Sequence, residues 1–294
     1  MQVTAASFKL IKKIKDEKFD EERLHQYTLL INIGVRDLQV AVVDTEDSRL
    51  LFFEDYVLGD LTSSDDWLGQ LQSLFEAHPL LMAGFWKIVK IGIKNNKFVQ
   101  VPSSLFIESS AVEYLRFNSH VDESKEVVLS DAPQQSGAVT VFALYKNVHE
   151  WLQGLYANTR LNFIHQSASL IEGVMNVDAH DNPPPLYLYI DRFKLHVISV
   201  KEGKLIYYNQ FVIKQFSDYV KYIMLVLNAL NMDQQKSKVI LWGYIGKNSP
   251  HYQEFVKYIR NVSFGSRPAH LKFGYQFDEI QEHHFFDLYT IDLP

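Results

Sequence analysis

His283 and His284 stand side by side, with Asp278, Glu279 and Glu282 close by, the most inviting set of metal-ligand types in the chain. Adjacent side chains diverge on a regular helix or strand, so a solvated polar segment is the simpler account. No H-E-x-x-H pattern occurs, which excludes a zinc-protease helix. His165 with Ser167 and Ser169 has the residue types of a nucleophile and its base. Neither serine sits in a Gly-x-Ser-x-Gly elbow, and a helix start capped by Ser167 explains the cluster better. There is no cysteine, which removes thiolate nucleophiles, disulfides, Cys-ligated zinc and iron–sulfur clusters together and fits a reducing compartment. Asp60, Asp65 and Asp66 fit a loop and a helix N-terminus, where the dipole favours carboxylates. Asp44 and Asp47 fit a hairpin turn. Tyr187, Tyr189, Tyr207 and Tyr208 read as cross-strand packing, with a partner-binding face as the other reading.

The elements that must position these residues are legible from periodicity. Leu186–Ile213 reads as three consecutive strands, with a turn near Asp191 and another at Lys201-Glu-Gly-Lys204. The same grammar occurs earlier: strands at Thr28–Ile33, Leu38–Asp44 and Arg49–Leu58, with turns between them. Two copies of one meander suggest a duplicated architecture. After the first copy, Asp65–Ala77 places Leu68, Leu71, Leu74 and Phe75 on one helical face, with Ser64 or Asp65 as its cap. Trp86–Ile93 alternates as a strand, and Asn95-Asn96 is expected to turn it into a hairpin with Phe98–Val101. Short strands at Val127–Ser130, Ala138–Ala143 and Asn162–Ile164 follow, with helices at Asn147–Tyr156 and Ser167–Met175. After the second copy, Gln215–Leu230 is a helix, Ser237–Trp242 a strand and Pro250–Arg260 a helix. The expected class is α/β, with mixed sheets carrying helices on their faces. The polar cluster Asn176–Pro185 is the best domain boundary. It gives a polar leader over residues 1–27, a first domain over 28–180 and a second over 186–294, in line with a length prior of about two domains.

Meander, helix, strand, helix, twice over, resembles the chain order of the actin-like fold shared by actin, Hsp70 and sugar kinases. The chain is similar to an uncharacterised bacterial family with that fold over nearly its whole length. The pieces that carry the resemblance are Phe98-Val-Gln-Val-Pro-Ser-Ser-Leu-Phe106, Tyr114-Leu-Arg-Phe-Asn118, Val141-Phe142, and His165-Gln-Ser-Ala-Ser169 running into Leu170-Ile171-Glu-Gly173. The fold it implies is a duplicated actin-like (ribonuclease H-like) one, with two five-stranded-type mixed sheets flanked by helices.

Active actin-like enzymes have three loops that this resemblance maps here. The first hairpin carries Asp-x-Gly and a hydroxyl residue, the glycine admitting phosphate to backbone N–H groups and the aspartate handling hydrated magnesium. The matching residues are Asn32, Ile33, Gly34 and Val35, so the glycine stays while the carboxylate and hydroxyl are gone. The second hairpin reads Asp191-Arg192-Phe193-Lys194, with phenylalanine where glycine would admit phosphate. The nucleoside loop, with two adjacent glycines in active relatives, reads Gly243-Tyr244-Ile-Gly246. All three loops are altered, which favours the fold and opposes ordinary ATP hydrolysis.

A net charge of −6 opposes nucleic acid, since phosphate neutralisation needs a concentrated basic face; Lys9–Lys18 is interrupted by Asp16 and Glu17. No apolar run approaches the roughly 18 residues of a membrane span, and the N-terminus lacks the order of a secretory signal. The expectation is a cytoplasmic, non-catalytic binding or scaffolding protein with no cofactor and an unknown protein partner. The first alternative is a divergent ATPase or small-molecule kinase with ATP and magnesium, using Asp191 with Asn32, Gly34, Gly243 and Gly246. The second is a cytoplasmic adaptor of an assembly or secretion machine.

Overall fold

Strand β1 (Phe8–Lys15) runs antiparallel to the outer strand of a meander formed by β2 (Tyr27–Gly34), β3 (Asp37–Asp44) and β4 (Arg49–Leu58). The structure, a computed structural model, describes residues 8–60, 63–133, 135–177, 183–192 and 194–293. Every residue of β2 is buried, because this central strand is covered on both faces and needs apolar side chains on each. Lysines at 9, 12, 13 and 15 keep the outer edge of β1 charged, a common guard against edge-to-edge pairing.

Helix α1 (Ser64–Glu76) follows, capped by Ser63, whose side chain accepts from the Asp66 N–H. The cap therefore lies one residue before the two expected. The single turn α2 (Pro79–Met82) leads to β5 (Ile88–Lys94), which pairs in parallel with β2. The chain then leaves the sheet. Strands β6 (Phe98–Pro102), β7 (Glu126–Asp131) and β8 (Ala138–Tyr145) form a separate small sheet in the order β6-β8-β7, with α3 (Ala111–Arg116) packed on it. The hairpin expected at Asn95-Asn96 is thus absent. Strand β5 is occupied on both edges by parallel neighbours, so it offers no edge to β6, and Asn95 instead donates to the Ala143 carbonyl at 2.7 Å. Helix α4 (Lys146–Leu155) returns the chain to β9 (Arg160–His165), the parallel neighbour of β5, and α5 (Gln166–Met175) leaves the sheet.

The second half repeats this plan. Strands β10 (Leu186–Ile190), β11 (Lys194–Lys201) and β12 (Lys204–Val212) form the meander. Helix α6 (Phe216–Ala229), β13 (Val239–Gly243), α7 (Pro250–Phe255) and β14 (Val262–Phe264) complete it, with β13 parallel to both β10 and β14. The five strands run β12-β11-β10-β13-β14, and the matching five of the first sheet run β4-β3-β2-β5-β9. Counted by appearance, both orders are 3-2-1-4-5, so the two meanders head duplicate sheets.

The last segment crosses back. Strand β15 (Lys272–Phe273) pairs with β4, and α8 (Phe286–Tyr289) with its neighbours Phe277, Ile280 and Ile291 packs on Leu30, Ala41, Val43, Leu50 and Phe53 of the first sheet. Part of the expected boundary, residues 178–182, lies outside the described residues.

Candidate functional site

The two duplicated hairpins, β2–β3 and β10–β11, face one another across the junction of the halves, and β5 ends between them. Its last residue is Lys94, and the Lys94 Nζ lies 2.6 Å from Asp37 Oδ2 and 3.2 Å from Asp191 Oδ1. All three side chains are buried. Arg192 makes the opposite crossing: its Nη2 donates to Asp55 Oδ1 at 3.0 Å and Oδ2 at 2.9 Å, and its Nε is 3.6 Å from Asp37 Oδ2. Gln39 Nε2 donates to both Asp37 and Asp55, and the Tyr244 ring lies 4.8 Å from the Arg192 guanidinium. Each half thus sends a cation to a carboxylate of the other.

Behind this layer sits a second polar set. Asp287 of α8 accepts from Tyr189 O–H, from Asn32 Nδ2 at 2.8 Å and from Gln166 Nε2 at 2.8 Å. Gln166 also donates to Asp191 Oδ2 at 3.0 Å. Donors of this chain therefore satisfy the carboxylates that face the cleft.

Electrostatics follow from this geometry. Burial works against the Asp191 charge, but Lys94, Lys194 and the Gln166 bond more than offset it and hold the carboxyl well below the usual range. Burial likewise opposes charge on Lys94, yet Asp191, Asp37 and Asp287 keep it protonated, above the ordinary lysine value. Burial, with Asp191 adding repulsion, pushes Asp287 up. Lys194 is pushed down to about 8 by burial and by Lys94, with Asp191 acting against them. General acid–base catalysis at neutral pH wants a group that titrates there. Asp191 does not.

The expected site residues meet only in part. Asp191 lies in the cleft, but its partner is Lys94. Gly34 stays glycine because a Cβ would strike the Asp37 carboxylate. Asn32 turns inward to Asp287. Gly243 has φ +99°, a Cβ there would meet the Ile190 carbonyl, and its N–H donates to the His283 carbonyl at 2.8 Å. Gly246 has open space around its Cα. Phe193 lies outside the described residues. The cavity beside Tyr244, lined by Phe216, Tyr219, Ile245, His251 and Phe255, holds about 30 Å³, room for a water or two. A larger cavity of about 350 Å³ opens at the cleft mouth.

Sequence reasoning missed Lys94, Asp37, Asp55 and Asp287. One signal was present: a lysine directly after Ile91-Gly-Ile93 extends the strand by one residue, at the carboxyl end where open α/β sheets place their ligands. Three local readings also change. His283 is buried and in contact with the Ile245 carbonyl (Nε2···O 2.7 Å), so the His-His pair fastens the C-terminal segment to the third loop and is no solvated segment. Among the described residues no group of three or more His, Cys, Asp and Glu is placed to hold a metal ion. Helix α5 is capped by His165, whose Nδ1 accepts from the Ser167 N–H at 3.1 Å. Tyr187 and Tyr189 are buried in a cluster with Leu170 and Val174 of α5, which is the packing reading.

A family described as "Protein of unknown function (DUF3822)" matches residues 16–262. A crystal structure from Bacteroides thetaiotaomicron, a protein with actin-like ATPase fold and unknown function, is 22% identical with a TM-score of 0.74, covering 84% of this chain and 93% of that one. A PilM–PilN type IV pilus biogenesis complex contains a chain 12% identical with a TM-score of 0.56, covering 90% of this chain and 96% of its own. No curated protein sequence matches. The fold is actin-like: α/β, with two mixed sheets flanked by helices.

Proposed function

The chain belongs to the DUF3822 family of unknown function, and we propose that it is a non-catalytic binding or scaffolding protein whose interdomain cleft is held by its own charges. The observation that carries this reading is Lys94. Its ammonium sits between Asp37 and Asp191, the carboxylates that would be the ones to hold a divalent cation between the two hairpins. Admitting a metal there would displace a buried cation from two carboxylates, and breaking such a pair costs about 3–5 kcal/mol. The 30 Å³ beside Tyr244 and the carboxamide of Asn32 in the first hairpin point the same way. The ATPase or kinase alternative needs Asp191 free to handle a metal, and it is occupied.

A cytoplasmic location goes with this reading, because a chain without cysteine suits a reducing compartment. No helix among the described residues is long and apolar enough to cross a membrane. The adaptor reading keeps support from the PilM–PilN likeness, in which an actin-like chain is bound to another protein. The exposed Leu105, Ile107 and Phe117 around α3 offer an apolar surface for such a contact.

Thermal melts with ATP, ADP and GTP, each with and without magnesium, test the main reading. Ligand at about 100 times its dissociation constant stabilises by roughly 2.7 kcal/mol, a shift of several degrees at this size. The expected result is no magnesium-dependent shift. A shift of that size that disappears in Asp191→Ala would restore the enzyme reading.

A further inference from the structure

A cavity of about 630 Å³ opens between β5, the end of β7, β9, α5 and the C-terminal residues Thr290, Ile291 and Leu293. It shares no lining residue with the cavity at the cleft mouth. Two carboxylates line it, Asp131 at the end of β7 and Glu172 on α5. Glu172 is 5% exposed, and its Oε1 accepts from the N–H groups of Ser136 at 2.9 Å and Gln135 at 3.2 Å. Among the described residues its Oε2 accepts from no donor, and the Asp131 carboxylate accepts from none at either oxygen. An ionised carboxylate has room for donors at both oxygens, and burying one without a donor is costly. The cations on the wall do not meet this need. Lys90 Nζ donates to the carbonyls of Asp292 at 2.8 Å and Leu293 at 3.0 Å, with Asp292 Oδ1 at 4.0 Å. Arg160 is exposed and forms no ion pair among the described residues. Much of the remaining wall is apolar, with Ile88, Phe163, Ile164 and Leu293.

We infer that this cavity binds a small organic ammonium, its N–H groups donating to Asp131 and to Glu172 Oε2 and its apolar body lying against the Ile88 and Phe163 side of the wall. The volume falls in the middle of the range for small-molecule sites. An ammonium brings three donors, and its bonds to carboxylates belong to the strong, charge-assisted class. A metal ion suits the pair less well, because among the described residues no third ligand of the His, Cys, Asp or Glu type joins them. Burial pushes the Asp131 carboxyl up to about 6, with repulsion from Glu172 adding to it and Lys90 opposing. Burial raises Glu172 as well, against its two N–H bonds. A cation between the two carboxylates relieves that repulsion. Neither carboxylate belongs to the cleft, so this binding is independent of how Lys94 fills it.

The test is calorimetric titration of the full chain with benzylammonium chloride, with benzyl alcohol as its uncharged match, and with calcium chloride. The expected result is saturable benzylammonium binding, about tenfold or more tighter than benzyl alcohol, and no saturable uptake of calcium. Asp131→Asn and Glu172→Gln should each weaken it about tenfold, the loss of one charge-assisted bond. Asp131→Asn breaks no hydrogen bond among the described residues, and the amide oxygen of Glu172→Gln can still accept from Gln135 and Ser136. If one variant does not fold, the other carries the comparison. Binding should also weaken from about pH 7 to about pH 5 as Asp131 takes a proton, the charged groups around it being Glu172 on α5, Lys90 on β5 and Arg160 on β9. No saturable binding at about 10 mM benzylammonium overturns the inference, as does equal affinity for benzyl alcohol or binding that neither variant weakens. Calcium binding that both variants abolish would make the pair a metal site and overturn it too.

Discussion

The two sheets follow one strand order but take their cover from different places. The first sheet has α1 and α4 on one face, and on the other the C-terminal segment with Leu288, Tyr289 and Ile291. The second sheet has α6 and α7 on one face, and on the other α5, which follows directly from the first sheet and packs Leu170 and Val174 on Tyr187, Tyr189, Ile198 and Trp242. Each half therefore lends the other an element, and the two loans cross where Gly173 of α5 meets Phe286 and Thr290. The cleft repeats the exchange in charges, Lys94 reaching one way and Arg192 the other. A duplicated pair of domains that share only a hinge could open easily. Here both the apolar base and the polar mouth tie the halves.

Removing the charge exchange should have the largest effect. Lys94→Met removes the ammonium from buried Asp191 and leaves buried Asp37 only the longer contact to Arg192 at 3.6 Å, and urea unfolding should register a loss of about 3–5 kcal/mol. Adding Asp191→Asn to Lys94→Met should return part of that loss, since it removes one stranded charge. If the double variant is no better than the single one, the charge exchange is not what ties the mouth.

Next comes the apolar crossing. A Cβ at Gly173 would lie 2.5 Å from Thr290 Cγ2 and 2.7 Å from Phe286 Cε1. Gly173→Ala should cost about 1–3 kcal/mol as overpacking, despite alanine's better helix propensity. Gly154 in α4 has nothing within 4 Å of its would-be Cβ, so Gly154→Ala should instead gain about 0.5–1 kcal/mol. Equal effects at the two sites would mean that the helices can part without loss.

The last comparison concerns acid. His196 on β11 is buried, with Nδ1 2.7 Å from the Tyr208 hydroxyl, and burial pushes it from 6.5 down to about 3. Lys194 and Lys94 push the same way, while Asp191 opposes them. Below pH 6.5 the unfolded chain takes a proton that the folded chain refuses. Stability should therefore fall as pH drops from 6.5 towards 3, by up to about 1.4 kcal/mol per unit from this group. Asp131 and Asp292, raised to about 6 by burial, act in the opposite sense. The readout is thus the difference in acid sensitivity between wild type and His196→Asn, with the variant losing less. Identical slopes would remove His196 from the account.

Much of the fold was legible because alternation and turn residues are local. The range Arg49–Leu58 is a strand as read, and the three strands of Leu186–Ile213 fall where the turns at Asp191 and Lys201–Lys204 put them. The Asn95-Asn96 hairpin failed for a non-local reason: a turn signal cannot tell whether the strand before it already has two neighbours. The His283-His284 pair misled in the same way, since their polarity suggested solvent and the burial comes from the third loop folding over them.

By itself, then, the sequence determined the two meanders and the main helices, because each depends on residue types within a few positions of one another. Only the tertiary structure decided what fills the cleft. Lys94 is 57 positions from Asp37 and 97 from Asp191, and ion pairing depends on the distance in space that the folded chain imposes. A lysine at the end of an apolar strand becomes the cation between two hairpins only once both sheets are in place.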